Sequence, residues 1–155
     1  MLSDQDYLQL ALDQAKESVQ QGGFPAGAVL VKDNHIIAQG VALGFKLNDP
    51  TSHPETAAIR QACQKLKTTD LAGATLYASL QPCLMCFSVA NWANLDKIVY
   101  GCKKNDEMVV KHYYEGHNDL EAINSNNTHH IELIYLPIFE TEVLRLIQKW
   151  EAQFS

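Results

Sequence analysis

A chain of 155 residues, 46% of them apolar, can bury roughly two-thirds of its unfolded surface as a single domain over residues 1–155, and so needs no disulfide staples. A formal net charge of -6 with scattered Lys and Arg argues against a nucleic-acid partner, because such binding draws its affinity from clustered cations. Asp4 and Asp6 stand where a secretory signal would want positive charge, and no apolar run approaches the roughly eighteen residues of a membrane span. The expected location is cytoplasmic, with no membrane partner.

In chain order, Ser3 followed by Asp6 resembles a capping box, and Leu8, Ala11, Leu12, Ala15 and Val19 recur at helical spacing until Gly22-Gly23 stops the pattern. Ala26 to Val31 and Ile36 to Gly40 read as a β-hairpin across the turn-forming Lys32-Asp33-Asn34-His35, and Val41 to Pro50 as a loop. Pro54 suits the first turn of a second helix, whose apolar stripe is Ala58, Ile59, Ala62, Cys63 and Leu66. Beyond Gly73, Thr75 to Leu80 reads as a strand. Pro82 then opens a helix through about Asn94, with Trp92 assigned to the core, and Ile98 to Gly101 forms another strand. The pattern weakens from Cys102 to Asn127, where only Asp119 to Ile123 reads as helical. A strand over Ile131 to Tyr135 and a closing helix carrying Val143, Ile147, Trp150 and Phe154 complete the chain. The connection before that last strand is long enough for a parallel crossover. This order implies an α/β fold, a three-layer α/β/α sandwich on a mixed five-stranded sheet.

In a reducing compartment a Cys-x-x-Cys reads as a metal or redox site, which leaves Cys63 and Cys102 as free thiols. Cys83 and Cys86 lie three apart at a helix start, so their sulfurs share a face near free N–H groups that favour thiolates. His53 begins another helix, and right-handed crossovers bring both helix starts to one edge of the sheet. Three protein ligands leave a fourth zinc position open, which marks a catalytic site; the competing reading is a structural zinc closed by Cys63 or Cys102. Zinc lowers the pKa of water to about 7, and Glu55 is placed to carry the proton. Of the other histidines, His35 falls in a turn, and His129-His130 read as surface.

His53-Pro54-Glu55 together with Pro82-Cys83-Leu84-Met85-Cys86 resembles the signature of the zinc-dependent cytidine/deoxycytidylate deaminase superfamily, over a span from about Phe24 to Gly101. The resemblance implies a cytidine deaminase-like fold, with Zn2+ held by His53, Cys83 and Cys86. Glu55 is then the catalytic group that protonates a ring nitrogen and hands a second proton to departing ammonia. Asn48-Asp49-Pro50-Thr51 and Asn91-Trp92-Ala93 look most like the guanine deaminase branch, so the implied reaction is guanine to xanthine, within purine metabolism. Its partners are a small aminated heterocycle and water. The tRNA adenosine deaminases share much of the first stretch and are the main alternative, followed by a cytosine or nucleoside deaminase and by a non-catalytic zinc-binding relative. Two positions depart from the pattern. Relatives hold the ring with an asparagine after the second strand, where Gly40-Val41-Ala42-Leu43 has none. The guanine branch also uses an acidic residue beyond the fourth strand, for which Glu115 is the candidate; Tyr114 is the second candidate substrate contact, since Tyr113-Tyr114 reads either as lining a pocket for a planar ring or as a packed loop. The resemblance further implies a homodimer, with Trp150 and Phe154 offering apolar surface.

Overall fold

The structure, a computed structural model, describes residues 1–154. Helix α1, Asp4–Gln20, starts from a reciprocal cap: the Asp6 N–H donates to Ser3 Oγ at 3.2 Å, and the Ser3 N–H donates to Asp6 Oδ2 at 2.8 Å. Its buried face holds Tyr7, Leu8, Ala11, Leu12 and Ala15, but ends on Ser18 instead of Val19. Ser18 is tolerated inside because its hydroxyl donates to the Phe24 carbonyl at 2.6 Å and accepts the Ala42 N–H at 3.0 Å. That one side chain ties α1 to the first residue of β1, Phe24–Lys32, and the last of β2, His35–Ala42. Asp33 and Asn34 between them take φ of 51° and 61°, the paired left-handed conformation that suits a two-residue hairpin turn.

The sheet has the order β2-β1-β3-β4-β5, where β3 is Ala74–Ala78, β4 Lys97–Tyr100 and β5 Glu132–Tyr135. The first two pairings are antiparallel and the last two parallel, giving the mixed five-stranded sheet that the element order implies. Strand alternation divides the core between two faces. Leu30, Leu76 and Ile98 pack on one face with Ala58, Ile59 and Ala62 of α3, Pro54–Leu66, and with Phe87 and Ala90 of α4, Leu84–Trp92. Val29, Tyr77 and Val99 pack on the other face with Tyr7, Leu8 and Ala11 of α1. Helix α7, Glu140–Glu151, adds Val143 and Ile147 beside Leu12 and Ala15.

Short helices fill the stretches where the sequence pattern is weak: α2, Gly44–Leu47; α5, Asp106–Val110, capped by Asn105; and α6, Leu120–Asn126, capped by Asp119. Helix α4 departs from expectation twice. It starts at Leu84 with Cys83 as its cap instead of at Pro82, and Trp92 is 86% exposed, not buried. The run from Leu84 to Trp92 is apolar almost all round, so its sequence has no polar face to say which side is buried. Phe87 and Ala90 take the inner side and leave Trp92 outside.

Gly40 sets how closely β2 approaches the start of α3. A Cβ there would lie 1.9 Å from the Pro54 carbonyl oxygen and 2.8 Å from its carbon, so only glycine lets the strand seat His53-Pro54-Glu55 directly on the sheet. Among the described residues, no helix is long and apolar enough to cross a membrane.

Candidate active site

His53 caps α3 in extended backbone, Pro54 occupies the first helical position and Glu55 follows on the first turn. Cys83 caps α4 in the same extended conformation, and its sulfur accepts the Cys86 N–H at 3.5 Å. The two helix starts meet beyond the C-terminal ends of β2 and β3, which run in the same direction. Cys83 Sγ lies 3.4 Å from His53 Nδ1, and the ligand atoms of His53, Cys83 and Cys86 all fall within 4.8 Å of one another. The Thr56 hydroxyl sits 3.2 Å from Cys86 Sγ.

Two thiols and an imidazole are a soft donor set that suits zinc. Zinc bond lengths of about 2.0–2.3 Å imply tetrahedral donor separations of roughly 3.6 Å, close to the sulfur–nitrogen distance present. Neither Cys63 nor Cys102 joins this group among the described residues. The Cys86 thiol also hydrogen-bonds the Cys83 sulfur, and this side-chain bond, with that to His53, holds the Cys83 thiol below its ordinary value against the effect of burial. The same Cys83–Cys86 bond, with burial, holds Cys86 above it. The hydrogen bond to Cys83 likewise raises His53.

Glu55 is 4% exposed and borders the same space. Burial, reinforced by the negative charge of Cys83, pushes its carboxyl up from 4.5 to about 7. A carboxyl poised near neutrality beside a three-ligand metal site has the properties of a proton carrier.

These groups open onto a cleft of about 650 Å³. Phe24, Tyr113 and Trp150 wall it as an aromatic cluster, with the Phe24 ring centroid 4.8 Å from Tyr113 and 5.1 Å from Trp150. The Glu151 carboxylate braces this wall by accepting from the Tyr113 hydroxyl at 2.6 Å and Lys111 Nζ at 2.7 Å. Ala42 presents only a methyl to the cleft, whereas Asn48, in left-handed backbone with φ of 52°, also lines it. Tyr114 forms part of the wall and donates its hydroxyl to the Gln81 carbonyl at 2.7 Å. Glu115 is not among the cleft-lining residues; its two carboxylate oxygens accept the N–H groups of Leu84 and Met85. Burial alone would raise that carboxyl, but the N–H bonds from Met85, its own backbone and Leu84 outweigh it and hold it below its usual value.

In the sequence Asn48 stands out only within the guanine-branch resemblance and Trp150 only as apolar surface on the closing helix, while Phe24 lies just before the strand read over Ala26 to Val31; none is marked there as a cleft wall. Trp150 falls on the apolar stripe of its helix, and nothing in that spacing separates a cleft wall from a core position.

Fold and site together define a hydrolytic deaminase of the zinc type, an enzyme acting on C–N bonds outside peptides. The family described as "Cytidine and deoxycytidylate deaminase zinc-binding region" matches residues 1–102, and the chain belongs to it. A tRNA-specific adenosine deaminase of Agrobacterium fabrum is 31% identical over 93% of this chain and 91% of its own length. A guanine deaminase of Bacillus subtilis is 40% identical over 68% of each chain. A solved structure from studies of A-to-I editing by tRNA:A34 deaminases at the wobble position aligns with a TM-score of 0.77 at 30% identity, covering 90% of this chain and 97% of the other.

Proposed function

We propose that this protein hydrolyses the exocyclic amino group from a free aminated heterocycle, with guanine to xanthine as the leading reaction. The observation that carries this reading is Glu55, a buried carboxyl with its pKa near 7, beside the His53, Cys83 and Cys86 donor set at an aromatic-walled cleft. When bound by His53, Cys83 and Cys86, zinc supplies the activation that lets water attack at neutral pH. Glu55 accepts a proton from that water and delivers it to the ring nitrogen beside the carbon under attack, where a new C–O bond forms. It then takes the remaining proton of the added oxygen and passes it to the amino group. The exocyclic C–N bond breaks and ammonia leaves, so each proton drawn from water is accounted for.

The Phe24, Tyr113 and Trp150 wall and the net charge of -6 favour a small planar ring over a polyanion. The second reading, adenosine deamination in tRNA, is favoured by the near full-length similarity to the Agrobacterium fabrum enzyme. Ammonia release from guanine, adenine, cytosine, their nucleosides and a tRNA anticodon stem-loop decides between them. Turnover of guanine with the stem-loop inert is the expected result. An inert guanine beside inosine formation in the stem-loop, falling steeply with added salt, would replace this reading with the second one. Zinc-loaded protein releasing no ammonia from any of these would point to a non-catalytic relative.

Four cysteines with no disulfide among the described residues fit a cytoplasmic setting, and exposed Trp92 on α4 fits a homodimer face. Sedimentation at micromolar concentration is expected to give a dimer, and a monomer there removes that part of the reading.

A further inference from the structure

The first turn of α4 carries the metal-binding cysteines, and the backbone N–H groups of Leu84, Met85, Cys86 and Phe87 each have a partner. The Phe87 N–H makes the first intrahelical bond, to the Cys83 carbonyl at 2.9 Å. Of the three donors before it, Cys86 N–H goes to Cys83 Sγ, while Leu84 and Met85 donate to Glu115 Oε1 at 3.2 Å and Oε2 at 3.0 Å. One carboxylate thus spans two successive N–H groups, and a shift of the helix start relative to residue 115 weakens both bonds at once.

The preceding residue grips the other side of the same turn. The Tyr114 hydroxyl donates to the Gln81 carbonyl, two residues before Cys83. Gln81 is fixed in turn: its N–H donates to the Cys102 carbonyl at 2.7 Å, and its side-chain oxygen accepts the Lys104 N–H at 3.0 Å. Lys104 also secures the segment beyond Glu115. Its Nζ donates to the carbonyls of Gly116 at 3.1 Å and Asn118 at 2.6 Å, and lies 5.6 Å from the Tyr114 ring centroid. Residues 81 and 84–85, which bracket Cys83, are therefore bolted to one dipeptide that lies about thirty residues away in sequence.

We propose that Tyr114 and Glu115 form a clasp on the turn that carries Cys83 and Cys86, with Glu115 acting as a positioning residue for zinc instead of touching the substrate. The inference rests on the assignment of zinc to His53, Cys83 and Cys86. Both Glu115 oxygens are already engaged by α4, and the residue is not part of the cleft wall, so its chemistry is directed at the metal loop. Groups that orient metal ligands from outside commonly set affinity by about 10- to 100-fold.

The test compares wild type with Glu115→Ala, Glu115→Gln and Tyr114→Phe, using zinc competition against a chromophoric chelator and the visible spectrum of the cobalt-substituted proteins. Steady-state kinetics at saturating zinc completes the comparison. Glu115→Ala is expected to weaken zinc binding about 10- to 100-fold and to shift the cobalt bands. Glu115→Gln, which keeps one acceptor oxygen, should fall between wild type and Glu115→Ala, and KM at saturating zinc should stay within about twofold of wild type. Unchanged zinc affinity and cobalt spectrum with a tenfold higher KM would overturn the clasp and make Glu115 a substrate contact. If Glu115→Ala does not fold, Glu115→Gln and Tyr114→Phe carry the same readouts, and wild-type zinc affinity in both overturns the proposal. A wild-type protein that binds no stoichiometric zinc would overturn the metal assignment itself, a result separate from variants that bind zinc as tightly as wild type.

Discussion

Glu55→Gln is expected to lower the rate of ammonia release by about 10²- to 10⁴-fold while the protein keeps its zinc. Glutamine has nearly the volume of glutamate, so a site that is 4% exposed retains its packing, but an amide cannot accept a proton from water and deliver it to the ring. Zinc content and turnover on the same preparation check the expectation. Full activity in the variant removes Glu55 from the chemistry. The substitution also reads out the cost of burying the carboxyl. Its folded-state pKa is raised from 4.5 to about 7, so the folded zinc-free protein holds a proton that the unfolded chain has already released. Stability from this group is therefore fully present below about pH 4.5, falls as pH rises, and has been lost by about pH 7. Over that window the wild type should lose about 3 kcal/mol relative to Glu55→Gln, measured by urea unfolding of both zinc-free proteins. Parallel pH profiles would show that the carboxyl is not shifted.

Cys86→Ala is expected to abolish stoichiometric zinc binding and to reduce turnover on the order of 10³-fold or more, because two remaining ligands cannot hold the metal that activates water. Cys86 is fully buried at the first turn of α4, so alanine leaves only a small void, and a loss of function there reports on the metal more than on the fold. Chelation of the wild type should reproduce the loss, and added zinc should restore the wild type but not the variant. Cys63→Ala is the matched control. Its sulfur lies outside the His53, Cys83 and Cys86 group, so zinc and activity should persist. Loss of zinc in Cys63→Ala would instead establish a closed site with a fourth protein ligand.

The cluster was legible because its members sit at positions that local rules specify. Pro54 starts α3 right after His53, and the i, i+3 spacing of Cys83 and Cys86 puts both sulfurs on one side of a turn. Glycine 40 shows the limit of such rules: the sequence marks it as the end of a strand, whereas its contact with the Pro54 carbonyl is a fact of packing. The free helix-start donors expected to serve the thiolates are mostly spent elsewhere, since Glu115 takes two of the three and leaves Cys83 one. No spacing rule links residue 115 to residues 84 and 85, because the link forms only when the segment after α5 folds back against Gln81 and the start of α4.

By itself the sequence determined the hairpin and the order of helices and strands around a mixed sheet, which follow from caps, turns and periodicity acting within a few residues. It marked His53, Glu55, Cys83 and Cys86 as candidates through the resemblance of their two motifs to a family signature, and the fold brings the three metal-binding types together. Tertiary structure alone decided that Trp92 faces outward, that Phe24 and Trp150 from opposite ends of the chain meet at the cleft, and that Glu115 grips the metal loop. Those outcomes depend on how whole elements stack. An evenly apolar helix such as α4 can bury either side, and a contact between residues 24 and 150 leaves no local pattern.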